Sequence, residues 1–171
     1  MEFSELIHKR HSIRAFSSRD VELEKIHRIL EASNLAPSAG NLQAYKIYVI
    51  TKHFLRKELA RASLNQGFIA DAPVVLVFCA DPKRSEVRYL ERGVRLYALQ
   101  DATIACTFAM LAAVDLGLAC VWVGAFNNDA VRKVIQVPED IIPVSVLPIG
   151  YAAEPPTIST RCEMKDIACW L

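Results

Sequence analysis

The sequence predicts an α+β fold, with a helical core packed against one mixed sheet. Three features point there. Helical and strand patterns both occur, but the strict βαβ alternation of a doubly wound fold is missing. Pro73 to Ala80 is an unbroken apolar run, as expected of a central strand covered on both faces. Tyr97 to Leu116 reads as a long helix that is apolar nearly all round, so it must be buried on every side, at the domain centre or across a dimer seam.

Taken in order, Phe3 to Lys9 predicts a short helix. Asp20 is placed to cap a second one, whose stripe is Leu23, Ile26, Leu30 and Ala32 and which must stop before Pro37. Tyr45 to Ile50, rich in aromatic and β-branched residues, predicts a strand, and His53 to Leu64 a helix. After the central strand, Asp81-Pro82 opens a segment in which Arg84, Arg88, Arg92 and Arg95 recur at helical spacing. Gly117 closes the long helix. Ala119 to Gly124 predicts a strand, Asn128 a cap for a helix over Ala130 to Ile135, and Val144 to Ile149 the last core strand. Residues 152–171 form a tail containing Pro155-Pro156, with no period before Lys165.

A chain of 171 residues suits one domain, 1–171, without repeats or linkers. Apolar residues make up 53%, and the mean hydropathy of +0.22 leaves surplus apolar surface for a subunit interface. A net charge of +1 gives no long-range field toward nucleic acid or an anionic membrane. Five cysteines without a CxxC pair indicate neither a zinc knuckle nor a redox dithiol, and Cys79, Cys106 and Cys120 sit in apolar runs as small buried hydrophobes. No charged n-region with an apolar stretch opens the chain, and Ile104 to Val114 is too short to span a bilayer, so a cytoplasmic protein is expected.

Four clusters offer chemistry. Arg10-His11-Ser12-Ile13-Arg14 gathers cations and neutral donors suited to a phosphate. It follows a helix C-terminus, so side-chain charge rather than the dipole must hold an anion, and on spacing alone a solvated helix end is the plainer reading. In Pro37-Ser38-Ala39-Gly40-Asn41, small residues admit a ligand to the backbone and the amide both donates and accepts; an ordinary loop has the same composition. Trp122-Val123-Gly124 ends a strand on a glycine able to present its N–H to a ligand, though a simple terminating glycine is commoner. The arginine face, interleaved with Glu86 and Glu91, reads by default as solvated and otherwise as a cationic rim attracting the phosphates of a nicotinamide cofactor. HExxH, GxSxG, GxGxxG and a carboxylate pair are all missing, and the four histidines lack metal-ligand spacing. An enzyme of this kind relies on a cofactor for its chemistry.

From Phe3 to Met164 the sequence resembles the nitroreductase family of FMN-dependent oxidoreductases. The resemblance lies in Arg10-His11-Ser12-Ile13-Arg14-Ala15-Phe16, Ala36-Pro37-Ser38-Ala39-Gly40-Asn41, Gln66 through Pro73, Ala112 through Leu118, Trp122-Val123-Gly124, Leu147-Pro148-Ile149-Gly150-Tyr151 and Arg161. It implies an intertwined α+β homodimer with a mixed, mainly antiparallel sheet, a long dimer-core helix and two FMN sites built from both subunits. By that likeness Arg10 and Arg161 hold the FMN phosphate with Ser12 and His11 in support, and Arg14 lies at the pyrimidine end of the ring. Pro37, Ser38, Ala39 and Asn41 reach in from the partner, and Gln66 bonds the pyrimidine edge. Trp122 lies beside the ring, while Val123 and Gly124 aim a backbone N–H at flavin N5. NADH or NADPH supplies hydride, and a nitroaromatic, quinone or similar small molecule accepts it in a ping-pong cycle; no metal is implied. Ser159 stands where many relatives carry a further basic residue, and the helical excursion that covers the flavin is shortened to about residues 83–96. A non-catalytic FMN-binding module, a dehydrogenase or dehalogenase variant, and a nucleic-acid binder using the arginine face are the other readings. The last lacks both net charge and an aromatic platform.

Overall fold

The computed structural model describes residues 2–171. Its centre is a four-stranded antiparallel sheet in the order β1-β2-β4-β3, formed by β1 (Tyr45–Ile50), β2 (Val74–Ala80), β3 (Ala119–Cys120) and β4 (Ile142–Gly150). β2 is buried throughout because both its faces are covered. Val74, Leu76, Phe78 and Ala80 point into one core, with α2 (Leu23–Asn34) and α6 (Ala98–Asp115); Val75, Val77 and Cys79 point into the other, with α3 (His53–Ala62) and α7 (Asn128–Ile135). The period-two alternation of an unbroken apolar strand thus serves two helical layers. The parallel element of the expected mixed sheet is a single bridge, Ser12 to Cys120.

Helix α1 (Phe3–Lys9) and strand β1 have the bounds the sequence predicts. Other boundaries move for identifiable reasons. Helix α2 starts after Glu22, not Asp20, with no side-chain cap, and Val21 packs on the core ahead of it. Helix α3 ends at Ala62, since Leu64 and Asn65 both take left-handed backbone. Asn127, not Asn128, caps α7: its side chain accepts from the N–H of Ala130 at 2.9 Å. The strand expected over Ala119 to Gly124 is reduced to two residues plus a bridge from Val123 to Val146. The register that pairs Ala119 with Gly150 sets Val121 opposite Pro148, which has no N–H to donate.

The arginine segment departs most. Helix α5 (Pro82–Arg92) is broken at Leu90 (φ 48°, ψ −136°), and Gly93–Tyr97 is a turn of π-helix before α6 begins. Regular spacing is lost, so Arg88, Arg92 and Arg95 go to different neighbours instead of lining one stripe.

Helix α6 buries Ala98, Ala102, Ala105, Cys106, Ala109, Met110 and Ala113 against the sheet. Its opposite face is not enclosed by the chain: Leu99 and Phe108 are 45% and 37% exposed, and Thr103 and Thr107 lie beside them. Each threonine hydroxyl donates to the carbonyl four residues earlier, at 2.8 and 2.9 Å, so this face can be dehydrated without orphaning a hydroxyl. By length and composition alone the kinked helical run Pro82–Asp115 holds a window apolar enough to cross a membrane, longer than the stretch 104–114 considered from sequence. Its sheet-facing side belongs to the core just described. The tail after β4 is almost wholly exposed, with a single helical turn, α8 (Met164–Ile167).

Burial pushes the Cys79 and Cys120 thiols up to about 12, and that of Cys106 higher still, so all three are inert core residues.

Candidate functional site

Helix α1 stops because Arg10 turns extended (φ −70°, ψ 111°) while its N–H still donates to the Leu6 carbonyl. Residues 10–17 then run along the sheet edge. The N–H of Ile13 donates to Cys120 at 3.2 Å and that of Ser17 to Tyr151 at 2.8 Å, while the N–H of Ala153 donates to Ala15 at 2.9 Å. Glu154 fixes the middle of this segment, one carboxylate oxygen accepting from the N–H of Arg14 at 2.6 Å and of Ala15 at 3.1 Å. Side chains are thereby freed. Arg10 and His11 share a cleft of about 520 Å³ with Arg161 and Ser159 from the tail, a pairing that joins residues 151 positions apart in sequence (161 − 10). Arg161 also donates to Ser159 Oγ at 2.9 Å. Among the described residues Arg10, Arg14 and Arg161 meet no carboxylate, whereas Arg19, Arg61, Arg95 and Arg132 each do. Three unpaired guanidinium groups suit a doubly charged phosphate and a second anionic locus.

Beyond Cys120 the chain enters Trp122-Val123-Gly124. Val123 donates its N–H to the Val146 carbonyl at 3.0 Å, so it cannot also serve a ligand. Among the described residues the Gly124 N–H meets no backbone acceptor, so of the two it is the amide left to supply the N–H expected of this pair. A Cβ at Gly124 would lie 3.3 Å from the Trp122 indole nitrogen, a tight contact that the indole would have to yield to. Gln66 is brought to the same loop. Its amide donates to the Ser63 carbonyl at 2.8 Å and to the Ala125 carbonyl at 3.1 Å, and the N–H of Asn127 donates to Ala62 at 2.9 Å. The end of α3 thus clamps the 122–127 loop, and of the Gln66 amide only its oxygen stays available for the pyrimidine edge.

The Pro37–Asn41 cluster lies elsewhere. Gly40, Asn41 and Gln43 all have φ between 44° and 58°, a left-handed run. Asp101, 2% exposed in the first turn of α6, holds it: the carboxylate accepts from Ala39 N–H at 2.9 Å and Ala44 N–H at 3.2 Å. Pro37, Ser38 and Ala39 line a separate cleft of about 550 Å³ with Tyr97, Gln100 and Ile104. Gln43 donates its N–H to Ser38 Oγ at 3.0 Å, leaving the hydroxyl proton free. Sequence reasoning missed Asp101 and Glu154. Each acts on backbone N–H groups, and no periodicity marks such a partner.

The two groups sit at different levels of α6. Asp101 marks one end, while Cys120, beside Ser12, approaches the Met110 carbonyl through its thiol at 3.9 Å. Nine residues of helix separate them, about 14 Å of rise. The clefts beside the two groups share no lining residue.

The model of the Nitroreductase family matches residues 7–66 and 52–151. The chain belongs to the nitroreductase family. It is 35% identical over 150 residues to an Archaeoglobus fulgidus protein provisionally named an NADH dehydrogenase/NAD(P)H nitroreductase, a match covering 85% of this chain and 83% of that one. A Bacillus subtilis FMN reductase using NAD(P)H is 31% identical over 156 residues; the match covers 84% of this chain and 63% of the relative, which is therefore longer. The crystal structure of a nitroreductase family protein from Clostridium difficile superposes with a TM-score of 0.87 at 33% identity, covering 99% of this chain and 98% of that one. The family and fold expected from the sequence are both found.

Proposed function

We propose that this nitroreductase-family chain is an FMN-dependent NAD(P)H oxidoreductase that works as a homodimer, with each flavin site completed across the subunit interface. The carrying observation is the division of the site. Arg10, His11 and Arg161 line one cleft, with Ser12 bridged to Cys120 and Gln66 bonded to Ala125 along the 120–125 segment, whereas Pro37, Ser38 and Ala39 line another, anchored through Asp101, about 14 Å of helical rise from Met110, which Cys120 approaches. Pairing two α6 helices antiparallel through their open faces sets the second group of one protomer against the first group of its partner. The apolar, hydroxyl-satisfied outer face of α6 supports that pairing.

The residues fit FMN. Arg10 and Arg161 would hold its phosphate through charge-assisted bonds, His11 and Ser12 lending further donors. Arg14 offers a fixed cation at the pyrimidine end, where negative charge develops as hydride arrives. Gly124, whose N–H meets no backbone acceptor among the described residues, would turn it toward N5, with Trp122 beside the ring. Gly40 packs closely under Tyr89 and Arg88, so the partner's loop would reach the flavin through Pro37, Ser38, Ala39 and Asn41. When bound, the flavin supplies two-electron chemistry, taking hydride from NADH or NADPH and passing it in a ping-pong cycle to a nitroaromatic, quinone or similar acceptor. The protein needs no acid, base or metal of its own for that transfer.

Anaerobic mixing tests this. Protein loaded with FMN should be yellow, bleach with NADH or NADPH, and regain colour with an acceptor. Failure to take up FMN overturns the site. Uptake without bleaching leaves a flavin-binding module in place of an enzyme.

A further inference from the structure

We propose that Arg88 and Arg92 form a phosphate-binding rim for the nicotinamide dinucleotide, on the Pro37–Asn41 side of the flavin site. The inference rests on the reading above, that NAD(P)H reduces the flavin. The four arginines of this segment differ in what they meet. Arg95 is neutralised by Glu91 at 2.7 Å and belongs to a solvated surface. Arg88 and Arg92 meet no carboxylate among the described residues. Instead both are set against a pair of tyrosines: Tyr89 and Tyr97 pack edge to face, centroids 4.9 Å apart, with Arg88 5.5 Å from the first ring and Arg92 5.4 Å from the second.

Both arginines are tied to the predicted flavin loop. One Arg88 terminal nitrogen lies 3.4 Å from the Gly40 carbonyl. A Cβ on Gly40 would come within 2.6 Å of the Tyr89 hydroxyl and 2.8 Å of that Arg88 nitrogen, so the segment lies directly on the loop. Arg92 donates from Nε to the Tyr97 hydroxyl at 2.9 Å, and Tyr97 lines the cleft with Pro37, Ser38 and Ala39. That bond spends the inner donor of Arg92 and leaves its terminal fork, the geometry that grips a phosphate by two parallel bonds. Between the two arginines Leu90 takes φ 48°, a conformation costly for a non-glycine residue. An uninterrupted helix would keep residues 88 and 92 in line along one face, whereas here the kink separates them onto the loop and the cleft. A dinucleotide whose nicotinamide lies over the flavin must run outward past this rim, and its phosphates are the anions available there.

The test uses the FMN-loaded protein and the variants R88A, R92A and R95A, with R92K to separate charge from fork geometry. Calorimetry gives the affinity for NADP+ and NAD+, and steady-state kinetics give KM and kcat for NADPH and NADH. Losing one charge-assisted phosphate contact weakens binding roughly ten- to hundredfold. R88A and R92A should show that loss for NADP+, with KM for NADPH raised in step and kcat at saturation retained, as for binding made equally in ground and transition states. R92K should recover part of it, and R95A should match the parent. NAD+ affinity left intact assigns the rim to the 2′-phosphate; equal loss for both dinucleotides assigns it to the diphosphate. Parental affinity in R88A and R92A, or an equal loss in R95A, overturns the rim while leaving the oxidoreductase reading standing. A parent protein that holds FMN but binds neither dinucleotide overturns both.

Discussion

Replacing Asp101 with Asn should loosen the loop that carries Pro37 to Asn41 and lower stability by about 2–3 kcal/mol. The carboxylate is almost fully buried and accepts two backbone N–H bonds, from Ala39 at 2.9 Å and Ala44 at 3.2 Å, and Ala44 itself is fully buried. Hydrogen bonds to a charged group contribute about 1.5–3 kcal/mol each, and an orphaned buried N–H costs about 1–3 kcal/mol. In the Asn variant the amide oxygen keeps one bond and the NH2 group faces the other N–H, donor to donor. Relief from burying a charge offsets part of that loss. With a urea slope of about 2 kcal/mol per molar, the midpoint should fall by about 1 M. Asp101→Ala, which orphans both N–H groups, should fall further. Protomer concentration must be held constant, because subunit association adds to apparent stability. Amide exchange gives the local readout: protection at Ala39 and Ala44 should drop while the β2 amides keep theirs. Flavin affinity should fall too, since Gly40, Asn41 and Gln43 hold left-handed backbone only while the loop is anchored. A parental urea midpoint, or lost stability with flavin affinity untouched, would refute this account of the loop.

Arg10→Ala should reduce FMN affinity roughly tenfold or more while leaving the urea midpoint nearly unchanged, because Arg10 makes no ion pair among the described residues; flavin content after dialysis checks it. Gly124→Val should slow flavin reduction by NADH or NADPH far more than it disturbs folding, as a branched side chain at that position intrudes on the ring's place beside Trp122; stopped-flow reduction provides the measurement. Glu22 should titrate at about 2, held down chiefly by its hydrogen bond from the Tyr151 hydroxyl, at 2.7 Å. Its folded value lies below the ordinary one near 4.5, so its stabilising contribution is complete above that pH and disappears as pH falls toward 2. Tyr151→Phe should return the carboxyl toward its usual range, seen by carboxyl-carbon NMR titration.

Local signals carried much of the fold into the sequence. Helix α1 and strand β1 were readable from spacing alone, and the unbroken apolarity of residues 73–80 announced a strand enclosed on both faces. The long-helix pattern was legible too, but not its division into a sheet-facing half and an open half, because alanine, threonine and leucine look alike in a hydrophobic pattern. Losses occurred where one residue answers to a distant one. Asp101 reads as an ordinary acidic residue in a helix's first turn until Ala39, 62 positions earlier, is found bonded to it. Glu154 looks like tail, yet it organises Arg14 from 140 positions away. Strand β3 is short because of Pro148 on another strand. The arginine spacing suggested one stripe, and the kink at Leu90, which no turn residue marks, divided it. The candidate site residues are proposed through family likeness, since each cluster read alone has an ordinary structural explanation.

Subunit complementation tests the shared site most directly. Arg10→Ala and Asn41→Gly each remove one half's contribution, the second without disturbing left-handed backbone. Either variant alone should bind FMN poorly. If equimolar protein is mixed and allowed to exchange subunits, each mixed dimer holds one intact site and one doubly impaired site, so roughly a quarter of all sites should recover parental affinity. Recovery at that level is the predicted result. No recovery in a mixture shown to contain mixed dimers would mean that both residues serve the same protomer's site, and it would contradict the division of the flavin site between two chains.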